Sequence, residues 1–191
     1  MNKTRFEAFS DGVFAILITI LVLELKVPHE ASLEALKPLA PVFLTYVLSF
    51  VYLGIYWNNH HHMLHLATRI NGSILWANLH LLFWLSLVPF TTGWMGENHN
   101  ASLPTAVYGF TLFMAGMGFW VLQWRIVVDQ GEGSALAAAV GRGVKEKFST
   151  LLYVVAIPLA FVAEWASDAI YVLVALIWLV PDSRIEGQVG E

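Results

Sequence analysis

The sequence alternates long apolar runs with short polar stretches. A helix needs about 20 apolar residues to cross a bilayer, and most of these runs approach that length. Prolines mark several boundaries, because proline removes a backbone donor and blocks the continuation of a helix. The pattern predicts an all-α polytopic membrane protein with a single domain of six transmembrane helices, at about residues 5–27, 38–65, 73–92, 103–128, 148–163 and 165–180. The last two are short, so they either tilt little or the fifth begins earlier, near Val144.

Composition supports a membrane protein. Hydrophobic residues make up 58% of the 191 positions and charged residues only 13%, whereas soluble domains carry about 25% charged residues. Without a basic patch, no nucleic-acid partner is expected. The absence of cysteine excludes disulfides and thiolate chemistry. No Ser–His–Asp arrangement, His-Glu-x-x-His or Gly-x-Ser-x-Gly motif is present, so the chain is not expected to be an enzyme.

The distribution of lysine and arginine predicts the orientation. With the N-terminus in the cytoplasm, eight of the ten cations lie on the cytoplasmic side, and only Lys26 and Lys37 lie outside. The positive-inside rule therefore places both termini in the cytoplasm. The eight are Lys3, Arg5, Arg69, Arg125, Arg142, Lys145, Lys147 and Arg184.

The first predicted helix contains most of the candidate functional residues. At 100° per residue, one stripe about 100° wide contains Arg5, Phe9, Gly12, Ile16, Thr19, Ile20, Leu23 and Val27. Ser10 and Asp11 lie on other faces and need partners inside a bundle, because an unpaired carboxylate is costly near lipid. The stripe by itself fits a helix-packing face as well as a functional surface.

The start of this helix carries a recognisable pattern. Arg-x-x-x-Phe-Ser-Asp-Gly at residues 5–12 is followed by Phe-Ala-Ile-x-x-Thr and Val-Leu-Glu-Leu. This resembles the signature of the transmembrane protein 175 family of potassium channels. The resemblance implies a homotetramer in the lipid bilayer, in which four first helices surround a pore for monovalent cations, with permeant potassium and no cofactor. One motif per chain resembles the bacterial form of the family, and we expect a bacterial plasma membrane.

By position, the resemblance implies that the constriction consists of rings of Ile16, Thr19, Ile20 and Leu23. Rings of aliphatic side chains narrow an aqueous path and gate it by dewetting, while a threonine hydroxyl replaces part of the hydration water of the ion. No Thr-Val-Gly-Tyr-Gly-like segment occurs, so we expect weaker selectivity for potassium over sodium than a carbonyl filter gives. Glu24 either concentrates cations at the outer mouth or is a solvated interfacial charge.

The remaining motif residues predict a polar network. Arg5 and Phe9 lie on the stripe, whereas we expect Ser10 and Asp11 to bond to the third helix and to lock the two helices together. The candidate partners on the third helix are Trp76, Asn78 and His80.

Two other functions fit part of the sequence. A proton-coupled secondary transporter would use Asp11 as its titrating carboxylate, but such proteins usually contain repeats and broken helices, which are not evident here. A membrane metal-binding or haem-binding protein would use the histidines His60, His61, His62, His65 and His80. Because no cysteine or acidic residue lies near residues 60–65 to complete a coordination sphere, interfacial histidines are the simpler interpretation.

Overall fold

The computed structural model describes residues 2–99, 101–131, 133–140 and 143–179. Within these ranges the chain is helical, with no β-strand. Short 3₁₀ segments, Val22–Glu24 and Glu34–Leu39, flank the first connection. The α-helices are α1 (Lys3–Leu21), α2 (Ala40–Leu66), α3 (Gly72–Ser86), α4 (Val88–Glu97), α5 (Ser102–Gln130), α6 (Ala135–Val140), α7 (Val144–Leu159) and α8 (Glu164–Leu179).

Four stretches of the described chain are long and apolar enough to cross a membrane. They are Lys3–Glu24, Glu34–Leu66, Gly72–Glu97 and Ser102–Gln130. Helices α7 and α8 have 16 residues each, which corresponds to about 24 Å and is less than the hydrocarbon thickness of about 30 Å. The structure therefore supports four of the six predicted spans by length and composition.

Several helix boundaries differ from those predicted. The first helix, α1, ends at Leu21 and is followed by the 3₁₀ turn Val22–Glu24. The backbone is extended at Leu25, so the helix does not reach residue 27. The predicted helix at residues 73–92 is two helices that meet at Leu87, because Pro89 has no N–H to continue the hydrogen-bonding pattern. The second of them continues to Glu97. The fifth predicted helix begins at Val144, whereas the predicted end of the sixth at residue 180 lies outside the described residues.

Glycines allow the helices to approach closely. A Cβ at Gly118 in α5 would lie 3.0 Å from the Cα of Leu81 in α3, so the two backbones nearly touch. Gly109 leaves room for the Tyr171 side chain of α8, whose hydroxyl donates to the Thr105 carbonyl at 3.1 Å. Small residues at contacts of this kind are typical of packing between membrane helices.

Polar contacts fix which helix ends lie together. At one end of the bundle, Lys3 Nζ donates to the His65 carbonyl at 3.2 Å, and Arg69 Nε donates to Asp129 Oδ2 at 2.8 Å. The start of α1 therefore lies beside the end of α2, and the end of α5 is at the same end of the bundle. At the opposite end, Lys26 forms an ion pair with Glu97. The hydrogen bond from Lys26 to Glu97 raises the pKa of this lysine above its usual value.

Candidate functional site: the free face of the first helix

Helix α1 has one buried face and one exposed face. The buried face packs against α2, α3 and α4. On the other side, Ile16 is 57% exposed and Ile20 38%, and Phe9, Gly12 and Thr19 are also exposed. Leu23, in the 3₁₀ turn that follows α1, is 74% exposed. The stripe derived from the sequence is therefore left uncovered by the chain's own helices. The buried residues of α1 are Phe6, Ser10, Phe14, Leu17 and Leu21.

A buried polar network holds α1 against two neighbouring helices. Asn78 Nδ2 of α3 donates to Ser10 Oγ at 2.9 Å, and Ser10 in turn donates to the Phe6 carbonyl at 3.1 Å. Asn78 Oδ1 lies 2.8 Å from His60 Nε2 of α2. Ser10 and Asn78 are fully buried, and His60 is 1% exposed. One amide thus joins α1, α2 and α3.

The orientation of the Asn78 amide specifies the tautomer of His60 that fits this network. The amide nitrogen of Asn78 faces Ser10, so its oxygen faces the imidazole and can only accept a hydrogen bond. Nε2 of His60 must therefore carry the proton. The same ring contacts Phe14 of α1, with 5.5 Å between the ring centroids, so apolar and polar contacts with α1 reinforce each other here.

The partner of Asp11 differs from the prediction. Its carboxylate accepts from Trp57 Nε1 of α2 at 3.0 Å, whereas the expected partners were Trp76, Asn78 and His80 of the third helix. Because consecutive residues are separated by about 100° on a helix, Asp11 faces α2 while Ser10 faces α3. Trp76 is 73% exposed, and His80 accepts instead from Trp84 Nε1 at 3.0 Å.

Polar side chains along the exposed face have distinct geometries. Arg5 is exposed in the first turn of α1. Thr19 Oγ1 lies 3.0 Å from the Ala15 carbonyl and 2.9 Å from the Ile16 carbonyl of its own helix. Its proton is directed at these carbonyls, so lone pairs of the exposed hydroxyl oxygen remain available.

Glu24 lies against the neighbouring helix. A Cβ at Gly93 of α4 would collide with the Glu24 carboxylate, so this glycine makes the space for the side chain. Glu24 is half-buried at the end of the α1 span.

The histidines of α2 do not form one cluster. His60 faces the protein interior, whereas His61 is exposed and its ring lies 6.2 Å from that of Trp57 and 5.7 Å from that of His62. Within the described residues, no three histidine, aspartate or glutamate side chains converge as a metal site would require. The role of His60 was not recognised from the sequence. Its helical spacing from the buried Tyr52 and Leu64 was the available signal.

Comparison with known proteins places this geometry in a family. The family model described as the endosomal/lysosomal potassium channel TMEM175 matches residues 5–89. A protein of Chryseobacterium sp. (strain P1-3), named a potassium channel, is 51% identical over 191 residues, which is all of both chains. A second, from Streptomyces collinus and also named a potassium channel, is 32% identical over 92% of this chain and 91% of its own length. These relatives are named as channels rather than enzymes.

A solved structure agrees over almost the whole chain. The crystal structure of a lysosomal potassium-selective channel TMEM175 homolog from Chamaesiphon minutus is similar with a TM-score of 0.81 and 31% sequence identity, covering 94% of this chain and 97% of the other. The arrangement of the helices is thus shared with this solved structure over almost the whole chain. The chain belongs to the TMEM175 family.

Proposed function

We propose that this chain is the subunit of a potassium-permeable cation channel whose pore is formed by α1 from four copies around a common axis. The observation that carries the proposal is the division of α1 into a face fixed by buried contacts and an opposite face, with Ile16 and Ile20, that stays uncovered. Homo-oligomers usually close such faces by rotational symmetry. The names of the bacterial relatives support potassium as the permeant ion.

In this arrangement the exposed residues of α1 and of the 3₁₀ turn that follows it form successive rings. Ile16, Ile20 and Leu23 are spaced by four and three residues, so their rings lie about one helical turn apart. The aliphatic rings narrow the path and gate it by dewetting. Thr19 contributes hydroxyl oxygens that replace part of the hydration shell of the ion. We expect weaker discrimination between potassium and sodium than a carbonyl filter provides.

The proposal includes an orientation in a bacterial plasma membrane, with six membrane crossings and both termini in the cytoplasm. Six of the eight described cations lie at the end where α1 begins, and Lys26 and Lys37 lie at the other end. This distribution supports a cytoplasmic N-terminus. Arg142 and Arg184, which the sequence also assigns to the cytoplasm, lie outside the described residues. The fifth and sixth crossings require α7 and α8 to span the membrane.

A flux experiment tests this proposal. The purified protein and the Ile16→Asn variant are reconstituted in liposomes, and the passive flux of potassium, sodium and caesium is measured. Asparagine would wet the ring at Ile16, so potassium flux should rise severalfold and the potassium-to-sodium ratio should fall. Leu151→Asn is a matched control, because the two side chains are equally exposed, Leu151 by 58% and Ile16 by 57%. Leu151 lies on α7 and not on the proposed pore helix.

Each outcome has a distinct meaning. Passive cation flux that changes in Ile16→Asn and not in Leu151→Asn supports a pore lined by α1. Flux that is unchanged by both substitutions would mean that another helix lines the pore. Flux that saturates and is coupled to protons would replace the channel by a secondary transporter. Bound metal or a haem spectrum in a protein without flux would favour the histidine-based alternative, which the comparisons do not favour.

A further inference from the structure

A cavity of about 570 Å³ lies between α2, α5 and α7, away from the exposed face of α1. Its volume is typical of a site for a small molecule. The α5 residues that line it run from Phe113 to Gln123, a rise of about 15 Å, which is half of the hydrocarbon thickness of about 30 Å. The cavity therefore matches the depth of one leaflet of a bilayer.

The lining changes in character along this length. The inner part is aromatic and apolar, with Tyr52, Phe113 and Tyr153. The outer part, at the end of the bundle where α7 begins, is lined by Glu146 and Lys147. One carboxylate and one ammonium thus stand at the same mouth. A zwitterionic head group complements this pair, whereas an ion of a single sign would be repelled by one of the two.

Gln123 lies between these two parts. Its side chain is 6% exposed and lines the cavity. An amide can both donate and accept a hydrogen bond, so it can bond to a ligand that enters the cavity. Other polar groups of the lining are already used, since Ser149 accepts from Trp178 at 2.8 Å and Tyr153 donates to Tyr52 at 3.1 Å.

We propose that this cavity binds one phospholipid with an amine-bearing, zwitterionic head group, such as phosphatidylethanolamine, from the leaflet at which α7 begins. The phosphate lies near Lys147 and the ammonium near Glu146. An ester carbonyl accepts from the amide of Gln123, and an acyl chain extends past Gly116 into the apolar part. The inference does not depend on the proposed channel activity, because it concerns a different part of the molecule.

Native mass spectrometry of the protein in mild detergent tests the head group directly. Phosphatidylethanolamine and phosphatidylglycerol with identical acyl chains are added separately, and the lipid retained per chain is measured. We expect about fivefold tighter retention of the ethanolamine lipid. Equal retention, or tighter retention of the glycerol lipid, would overturn the head-group assignment.

Two variants test the location. Gln123→Leu removes the amide, and Gly116→Leu fills the cavity, where an added Cβ would lie 3.6 Å from the Tyr56 hydroxyl oxygen and so fits without a clash. Each should weaken retention about fivefold. Gly54→Leu is the control, because it places the same side chain on α2 outside the cavity. Unchanged retention in both cavity variants would refute the site.

A cross-linking experiment keeps the proposal testable if both variants fail to fold. Phosphatidylethanolamine with a photoreactive group in its acyl chain is added to the unmodified protein, and the labelled peptides are mapped. Labels should concentrate on α5 around Gly116 and on α7 around Tyr153. Labels spread evenly over exposed helix faces would mean that the lipid only surrounds the protein and does not occupy the cavity.

Discussion

Replacing Asn78 by leucine removes the side chain that joins α1, α2 and α3. The amide makes two buried bonds, to Ser10 at 2.9 Å and to His60 at 2.8 Å. Interhelical bonds in membranes contribute about 0.6 kcal/mol each on average, so the two bonds together contribute about 1.2 kcal/mol. The variant also leaves the His60 N–H buried without a partner, at a cost of about 1–3 kcal/mol. We expect a loss of about 2 kcal/mol.

Thermal unfolding in detergent, followed by the loss of helical circular dichroism, measures this effect. For a chain of this size, 1 kcal/mol corresponds to about 2–4 °C, so Asn78→Leu should lower the Tm by about 4–8 °C. Asn98→Leu is the matched control, because the Asn98 amide is exposed and, among the described residues, bonds to the Trp94 carbonyl, one turn away in the chain. That substitution should shift the Tm by less than about 2 °C.

A second substitution separates the cost of the unpaired His60 N–H from the cost of the lost hydrogen bonds. In the Asn78→Leu background, His60→Leu removes the unsatisfied N–H, so the double variant should be more stable than the sum of the two single effects predicts. The reasoning would be refuted if Asn78→Leu behaved like Asn98→Leu. It would also be refuted if the effects of Asn78→Leu and His60→Leu were simply additive.

Two further substitutions test neighbouring contacts by the same thermal measurement. Gly118→Leu inserts a side chain at a position where a Cβ alone would lie 3.0 Å from the backbone of α3, so the variant should be destabilised by about 1–3 kcal/mol. Gly54→Leu is the control, because a Cβ at Gly54 would have no atom within 4 Å. An equal Tm for the two variants would contradict the close approach of α3 and α5. Trp57→Phe removes the indole N–H that donates to Asp11, and it should lower the stability by about 1 kcal/mol. Trp76→Phe is the control, because Trp76 is 73% exposed, and its stability should be nearly unchanged. Equal effects of the two substitutions would show that the bond to Asp11 contributes nothing to stability.

The sequence was informative where one helix alone determines the outcome. Helical spacing placed Ile16 and Leu23 on one face of the first helix, and the structure leaves that face uncovered. The same spacing placed Ser10 on another face, where a buried hydroxyl needs a hydrogen-bond partner. Asn78 of the third helix is that partner. Both results depend only on the angle between residues and on the cost of burying polar groups.

Features that depend on how helices rotate against one another could not be predicted in this way. Asp11 meets Trp57 because α2 presents that face to α1, and no local pattern specifies the rotation. His60 lies among three other histidines, so composition suggested an interfacial group, while its rotation places it in the interior. The break at Leu87 is close to Pro89, which is visible in the sequence. Whether a helix ends at such a proline or continues past it depends on the helices around it.

The contacts of α1 explain how the exposed face is held in position. Near its start, Ser10 and Asp11 bond to α3 and α2. At the other end, Glu24 lies against Gly93 of α4, and the following chain is tied to α4 by Lys26. Between these ends the buried side chains of α1 are apolar, and apolar contacts have little directional preference. The rotation of α1, and with it the direction in which the proposed rings point, therefore depends on the polar contacts at both ends.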